Sequence, residues 1–210
     1  MPPRPADLEE RTAALRAALA ERVLVLDGAT GTALQGFVLT AADFGGPELE
    51  GCNENLCATR PDVVDAVHES YLAAGCDVVE TNSFGGTPLV LAEYGLADRA
   101  FELNAAAARL ARAACARHDR SDAAGPGGPG GPGAPGGQSS PPGPSASPSA
   151  SPSASPSAAG GPRHFVCGSM GPTTKAISVT GGITFAELEE HFRVQALGLM
   201  AGGADYLLLE

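Results

Sequence analysis

The sequence predicts an α/β fold in which short buried strands alternate with helices, and three observations predict it. Four short apolar runs, Val23–Leu26, Cys76–Glu80, Phe165–Cys167 and Tyr206–Leu209, each stop at a polar residue or a glycine. The first and last lack the in-out alternation of a half-exposed strand, as expected of strands buried on both faces of a parallel sheet. Between successive runs lie segments with helical spacing of apolar residues. The order is therefore β-α-β-α-β-α-β, which suits either a doubly wound open sheet or part of a (β/α)8 barrel.

Residues 7–20 precede the first strand and read as a short amphipathic helix with Leu8, Leu15 and Leu19 on one side. After Asp27-Gly28 a long loop region is expected, from Ala29 to about Thr59. Pro61 marks a helix start, and Val63, Val64, Val67, Tyr71 and Leu72 make its apolar stripe. Gly75 ends that helix before the second strand. Residues 88–117 supply one or two further helices, with Leu103, Ala106, Leu110 and Ala114 at helical spacing.

Residues 125–162 contain only Gly, Pro, Ser and Ala apart from Gln138, with Pro-Ser-Ala-Ser repeating from Pro144 to Pro156. Such a tract has nothing to bury against its ordering entropy and reads as a solvated linker or loop. The pattern resumes with the third strand and Gly168-Ser169-Met170-Gly171-Pro172. Thr184 and Glu187 then form a capping box before a helix over residues 185–201, which Gly202-Gly203 stops. The fourth strand follows, and the chain ends at Glu210 without a further helix. A complete barrel typically needs about 250 residues; four strands make the first half of one.

Composition narrows the function. With 13 basic and 24 acidic residues the net charge is −11, and no Lys/Arg cluster stands out, so no nucleic-acid partner is expected. No apolar run approaches membrane-spanning length, and the polar N-terminus lacks the core of a signal peptide, so a cytoplasmic location without membrane association is expected. In that compartment the five cysteines, 52, 57, 76, 115 and 167, read as free thiols. Cys76 and Cys167 fall in apolar strands as small core residues. His68, His118, His164 and His191 read as surface or half-buried histidines.

Chemistry in either fold collects at the carboxyl ends of the strands. Those ends carry Asp27, Glu80-Thr81-Asn82, Gly168-Ser169 and Glu210. Carboxylates gathered at one rim suit a cationic ligand or proton transfer, since a substrate ammonium would gain charge-assisted hydrogen bonds there. The turn Asp27–Gly36 fails as a nucleotide motif: Gly28, Gly31 and Gly36 do not form G-x-G-x-x-G, and Gly36 precedes Phe37-Val38 rather than Lys-Ser/Thr. It reads as a tight turn that lets the backbone approach a neighbour, or as exposed N–H groups that receive a small carboxylate. Cys52 and Cys57 are separated by four residues, not two, and no second pair follows, so metal spacing is absent.

These stretches together resemble the N-terminal homocysteine-binding domain of the cobalamin-dependent methionine synthase family. The resemblance is carried by Val23–Thr32, by Gly51-Cys52-Asn53-Glu54-Asn55-Leu56 with Thr59–Asp62, and by Asp77–Phe84. Gly168–Thr173 and Gly202–Glu210 complete it, in family order at every strand end. It implies a (β/α)8 TIM-type barrel of which this chain holds strands 1–4, with an N-terminal helix at 1–20. Residues 21–210 would be the N-terminal half of the homocysteine-binding barrel, interrupted by a disordered insertion at 119–162. As a helix-to-strand connection, the insertion would lie away from the active end.

The resemblance also implies the activity: transfer of a methyl group from methylcobalamin, with 5-methyltetrahydrofolate as its source, to the homocysteine thiolate. Asp27 and Glu210 match the carboxylates that contact the homocysteine amino group. Gly28 and Ala29 would offer N–H groups to its carboxylate, and Glu80, Asn82 and Ser169 would form the pocket. Zinc in the family is held by three cysteines on later strands. Its ligands are therefore expected beyond residue 210, none of the five cysteines here is a ligand, and the 210 residues alone are expected to be inactive. The partner would be the methylcobalamin-carrying domain of the same full-length enzyme. Two alternatives are a stand-alone homocysteine methyltransferase using a sulfonium donor and a non-catalytic small-ligand binding module.

Overall fold

A computed structural model describes residues 7–124, 164–177 and 182–210. Helix α1 (Leu8–Glu21) opens the chain. A run of short helices follows, α2 (Thr30–Gln35), α3 (Ala41–Phe44) and α4 (Leu56–Thr59), and leads to α5 (Pro61–Ala73). Strand β1 (Val78–Glu80), α6 (Pro88–Leu91) and α7 (Ala100–Ala124) come next. Beyond the tract, β2 (Phe165–Met170), α8 (Phe185–Gly202) and β3 (Tyr206–Leu209) complete the described fold.

The sheet is parallel throughout and follows chain order, β1-β2-β3, with Val79 opposite Val166 and Gly168 opposite Leu207. Its two faces differ. Val79, Val166 and Met170 pack on one face with Leu72 of α5, Ala108, Ala111 and Cys115 of α7, and Leu199 of α8. Val78, Phe165 and Cys167 point the other way and meet Leu15 of α1, with Leu24, Leu26, Tyr206 and Leu208 partly buried beside them. All three long crossover helices thus lie on one face, which separates the described fold from a doubly wound sheet.

Two helices pack unusually close because of glycine. A Cβ on Gly202 would sit 2.4 Å from the Ala105 carbonyl oxygen, and one on Gly198 would sit 2.7 Å from that of Phe101. Any side chain at either place would push α8 off α7. The start of α8 is set by the capping box the sequence predicts: Glu187 N–H donates to Thr184 Oγ1 (3.3 Å) and Thr184 N–H donates to Glu187 Oε2 (2.9 Å).

Several sequence expectations need correction. Val23–Leu26 does not form a doubly buried strand. It makes one parallel bridge, Leu26 to Val78, and leaves Val23 85% and Val25 56% exposed. The segment sits at the sheet edge with a neighbour on one side, and the Val25 N–H is taken by the Asp77 carboxylate (2.8 Å) instead of a ladder carbonyl. In α1 the buried stripe is Leu8, Arg11 and Leu15, and Leu19 is 57% exposed, because Arg11 is drawn inward by a buried partner, Asp205. The expected long loop from Ala29 holds three short α-helices and two 3-10 turns, built from local turns too brief to show periodicity. Helix α7 runs through residue 119 to Ala124, so the insertion does not begin at 119; the rest of the predicted insertion lies outside the described residues.

His68 is also not half-buried: it is fully enclosed on α5, and neither ring nitrogen has a hydrogen-bond partner among the described residues. Burial pushes its pKa down to about 4, against the pull of Asp65 and Glu69. Among the described residues no helix is long and apolar enough to cross a membrane.

Candidate functional site

A parallel sheet aims the C-terminal ends of its strands at one rim. Here that rim encloses a cleft of about 290 Å³. Five of the seven sequence-predicted site residues line it: Ala29, Glu80, Asn82, Ser169 and Glu210. Asp27 and Gly28 do not reach the lining. Asp27 stands directly behind it, however, with Oδ1 accepting the Glu80 N–H at 2.7 Å.

Three carboxyl groups therefore gather at one rim, Asp27 and Glu80 from neighbouring segments and Glu210 from the end of β3, with β2 and its Ser169 between. Asp27 Oδ2 is buried without a partner among the described residues. Burial pushes the Asp27 carboxyl up to about 7, the Glu80 N–H pulls it back, and the Glu80 charge adds to the rise. Glu80 is likewise pushed up to about 7, first by burial and then by the nearby charge of Glu210. The Ser169 hydroxyl donates to Glu210 Oε1. Such a group of carboxyls is costly to ionise when empty and is stabilised by a cation.

The turn after Asp27 uses its residues differently from expectation. A Cβ on Gly28 or Gly31 would meet nothing within 4 Å, so neither glycine serves a close backbone approach. The left-handed residue is Ala29 (φ 54°, ψ 32°), an alanine where glycine would be easier. Such a backbone is held in place by its surroundings, and here it turns the chain into α2 at the cleft.

Sequence reasoning missed part of the lining: Thr30, Gly31, Asn53, Glu54, Ser83 and Phe84, while Thr81 was placed at the strand end without a role in the site. Asn53 and Glu54 reach the cleft because long-range hydrogen bonds stitch their turn to the one after β1. Asn82 Nδ2 donates to the Asn53 carbonyl (2.7 Å), and Gly85 N–H donates to Glu54 Oε1 (2.7 Å). Phe84, 49% exposed, lies against Gly171, where a Cβ would fall 2.7 Å from its ring. The Gly51–Leu56 and Asp77–Phe84 stretches of the family resemblance pointed to both turns, although not to these side chains.

The residues present do not fit a zinc ion. Among the described residues no three His, Cys, Asp or Glu groups converge to hold a metal. All five cysteines are buried free thiols. Burial pushes Cys52 up to about 11 and Cys57, Cys76, Cys115 and Cys167 up to about 12, the opposite of what a thiolate ligand requires.

The sequence model of the family described as homocysteine S-methyltransferase matches residues 24–210. The methionine synthase of Mycobacterium tuberculosis (strain ATCC 25618 / H37Rv) is 36% identical over 192 residues, and that of Mycobacterium leprae (strain TN) is 35% identical over the same length. Both alignments cover 91% of this chain but only 13% and 12% of those proteins. Among solved structures, the metallated form of the Escherichia coli homocysteine methyltransferase MmuM superposes with a TM-score of 0.60 at 22% identity. It covers 93% of this chain and 56% of its own. The oxidized form gives 0.59 at 22% identity, covering 92% and 55%. At that identity the likeness speaks for the fold: α/β, rich in helix, around a small parallel sheet.

Proposed function

Because the chain belongs to the homocysteine S-methyltransferase family, we propose that it is the homocysteine-binding part of a methionine synthase. On this reading residues 21–210 are the first half, strands 1–4, of a (β/α)8 TIM-type barrel with α1 as its N-terminal helix and the Gly/Pro/Ser/Ala tract as an insertion. Chain-order parallel strands, crossover helices on one face and coverage of 56% of a solved relative support the half-barrel.

The observation that carries the function is the meeting of Asp27, Glu80 and Glu210 at one rim with no arginine or lysine bonded to them among the described residues. Three carboxyls that lack an internal cation are arranged for an external one. The homocysteine ammonium would sit between Asp27 and Glu210, with Glu80 closing the third side. The turn at Gly28 and Ala29 would offer N–H groups to the amino acid's carboxylate. Asn82 and Ser169 would shape the pocket, Ser169 by holding Glu210. Binding the cation would favour ionised Asp27 and Glu80, so homocysteine binding should release protons near neutral pH.

The methyl group would come from methylcobalamin, supplied from 5-methyltetrahydrofolate and carried by another domain of a longer protein. The aligned part of the methionine synthases, 13% of the first, leaves ample chain for such a domain. Zinc would have to be held by residues other than those described.

Two measurements test this. Calorimetric titration of the full chain with L-homocysteine should show binding, and 4-mercaptobutanoate, which lacks the amino group, should bind far more weakly. Equal affinity for the two would remove the ammonium assignment. In the full-length protein, methyl transfer from methylcobalamin but not from S-methylmethionine is expected; the reverse preference would replace the donor.

A further inference from the structure

The turn after β1, residues 81–86, supplies Asn82, Ser83 and Phe84 to the cleft. Two buried amides reach it from the helix layer. Gln195 is fully buried on α8, next to Phe192, Ala196 and Leu199 of the apolar face. Its Nε2 donates to the Ser83 carbonyl at 2.7 Å and, more weakly, to the Ser169 carbonyl at 3.5 Å. Asn104 on α7 is buried as well, and its Nδ2 donates to the Gly86 and Ala100 carbonyls, both at 2.7 Å.

The orientation of each amide is forced, because turning either over would face its oxygen toward two carbonyl oxygens. The consequence is that Gln195 Oε1 and Asn104 Oδ1 are buried without a donor among the described residues. Buried acceptors of that kind are destabilising, and an apolar side chain at either place would avoid the penalty. What the amides gain in return is a hold on the turn. Gly86 shows how close the hold is: a Cβ there would lie 2.4 Å from Asn104 Oδ1 and 2.8 Å from the Ser83 carbonyl oxygen.

We infer that Gln195 and Asn104 are positioning residues, a two-amide clamp that fixes the 81–86 turn against the cleft from the helices behind it. The hold extends to the carboxylate rim. Ser83 Oγ donates to the Ser169 carbonyl (2.8 Å), and the Ser169 hydroxyl in turn holds Glu210. The choice of homocysteine as the ligand that would report the clamp rests on the function proposed above; the clamp itself does not.

The test is amide hydrogen exchange on the full chain, wild type against Gln195→Leu, with a homocysteine titration alongside. Gly85 N–H, bonded to Glu54, and Gly86 N–H, bonded to Ser83 O, report the turn; Asp205 N–H, bonded to Val166 O at the far end of the sheet, reports global opening. Losing one such bond should speed exchange at Gly85 and Gly86 by about tenfold while leaving Asp205 unchanged, and should weaken homocysteine binding by a similar factor. Exchange unchanged at the turn, or accelerated equally everywhere, would overturn the inference.

If the leucine variant does not fold, Gln195→Glu serves instead. A carboxylic acid can donate to the Ser83 carbonyl only while protonated. Protection at Gly85 and Gly86, taken relative to wild type at each pH, should therefore return as the pH falls from about 8 to about 5.5. The same relative protection at both would overturn it. A responsive turn in a chain that does not bind homocysteine at all would support the clamp and remove the proposed function.

Discussion

Both ends of this sheet carry carboxylates, and the chain treats them in opposite ways. At the N-terminal end, Asp77 and Asp205 each stand just before a strand, and each meets arginine. Asp205 has no exposed side-chain surface; Arg11 Nη1 (2.5 Å), Arg112 Nη2 and the Val166 N–H (2.8 Å) all converge on it. For Asp77, burial alone would raise the pKa, but Arg22 Nη2 at 2.6 Å and the Val25 N–H hold it below the ordinary value. At the C-terminal end, Asp27, Glu80 and Glu210 have no such partner among the described residues, and two of them rise to about 7. Internal cations pair the carboxylates at one end; at the other, among the described residues, no arginine or lysine does so.

The largest effect should come from breaking the paired end. Asp205→Ala would leave two guanidinium groups facing one another with their shared anion gone. Removing one partner of a buried ion network costs about 3–5 kcal/mol, a large share of the roughly 5–15 kcal/mol that keeps an ordinary domain folded. Thermal melting checks this; a variant that melts within a degree or two of wild type would show that the network is not what holds α1 and α7 to the sheet.

Asp27→Asn should behave in the opposite way. The amide keeps the size and the acceptor for the Glu80 N–H but removes the charge. Homocysteine binding should weaken by roughly tenfold to a hundredfold, the worth of one charge-assisted hydrogen bond, while folding is unharmed or slightly improved. Calorimetry and melting on the same samples separate the two. Unchanged affinity would take Asp27 out of the site.

A pH series sharpens the contrast further. Asp27 and Glu80 have folded pKa values raised from 3.8 and 4.5 to about 7. Raised values mean that the folded state binds more protons, so the stability they contribute is fully present below about pH 4 and is lost progressively as the pH rises to about 7. His68 acts in the opposite direction: its folded value is depressed from 6.5 to about 4, so stability falls as the pH drops from 6.5 toward 4. Between about pH 4.5 and 7 the two carboxyls outweigh the single histidine and dominate. The melting temperature should decline there by about 2–4 °C for each kcal/mol lost, and Asp27→Asn should flatten the decline. A wild-type profile flat over that interval would contradict the shared burial of the pair.

Which parts of this were legible beforehand follows a physical pattern. Glu80, Ser169 and Glu210 could be placed at the rim because strand ends show in sequence as apolar runs that stop, and a parallel sheet aligns those ends. The capping box at Thr184 and Glu187 was legible because both partners lie within one turn. Glu54 was not, since its place in the cleft depends on a hydrogen bond to Gly85, far along the chain. Gln195 was hidden for the same reason: on α8 it looks like an ordinary polar residue, and only its bond to the Ser83 carbonyl gives it meaning. The edge segment Val23–Leu26 misled in the other direction. Its composition announces a buried strand, and composition cannot say whether a neighbour lies on both sides. His68 misled likewise, because a polar residue's burial is decided by the packing of α5 against its neighbours.

The smallest expected effect concerns the Gly/Pro/Ser/Ala tract, residues 125–162. Its described flanks, the end of α7 and His164 at the start of β2, lie on the side of the sheet away from the cleft. The two strands of chain are tied where they meet: His164 Nδ1 lies 2.7 Å from Asp119 Oδ1, and its N–H donates to the same oxygen at 3.2 Å. Loop closure costs only about 0.6 kcal/mol per doubling of length, and the ends are already joined by protein contacts. Deleting residues 125–160 should therefore leave melting within about 1–2 °C of wild type and homocysteine affinity unchanged. Weaker binding in the deletion would mean that the tract reaches the carboxylate rim, and the division between a structural end and a binding end would no longer hold.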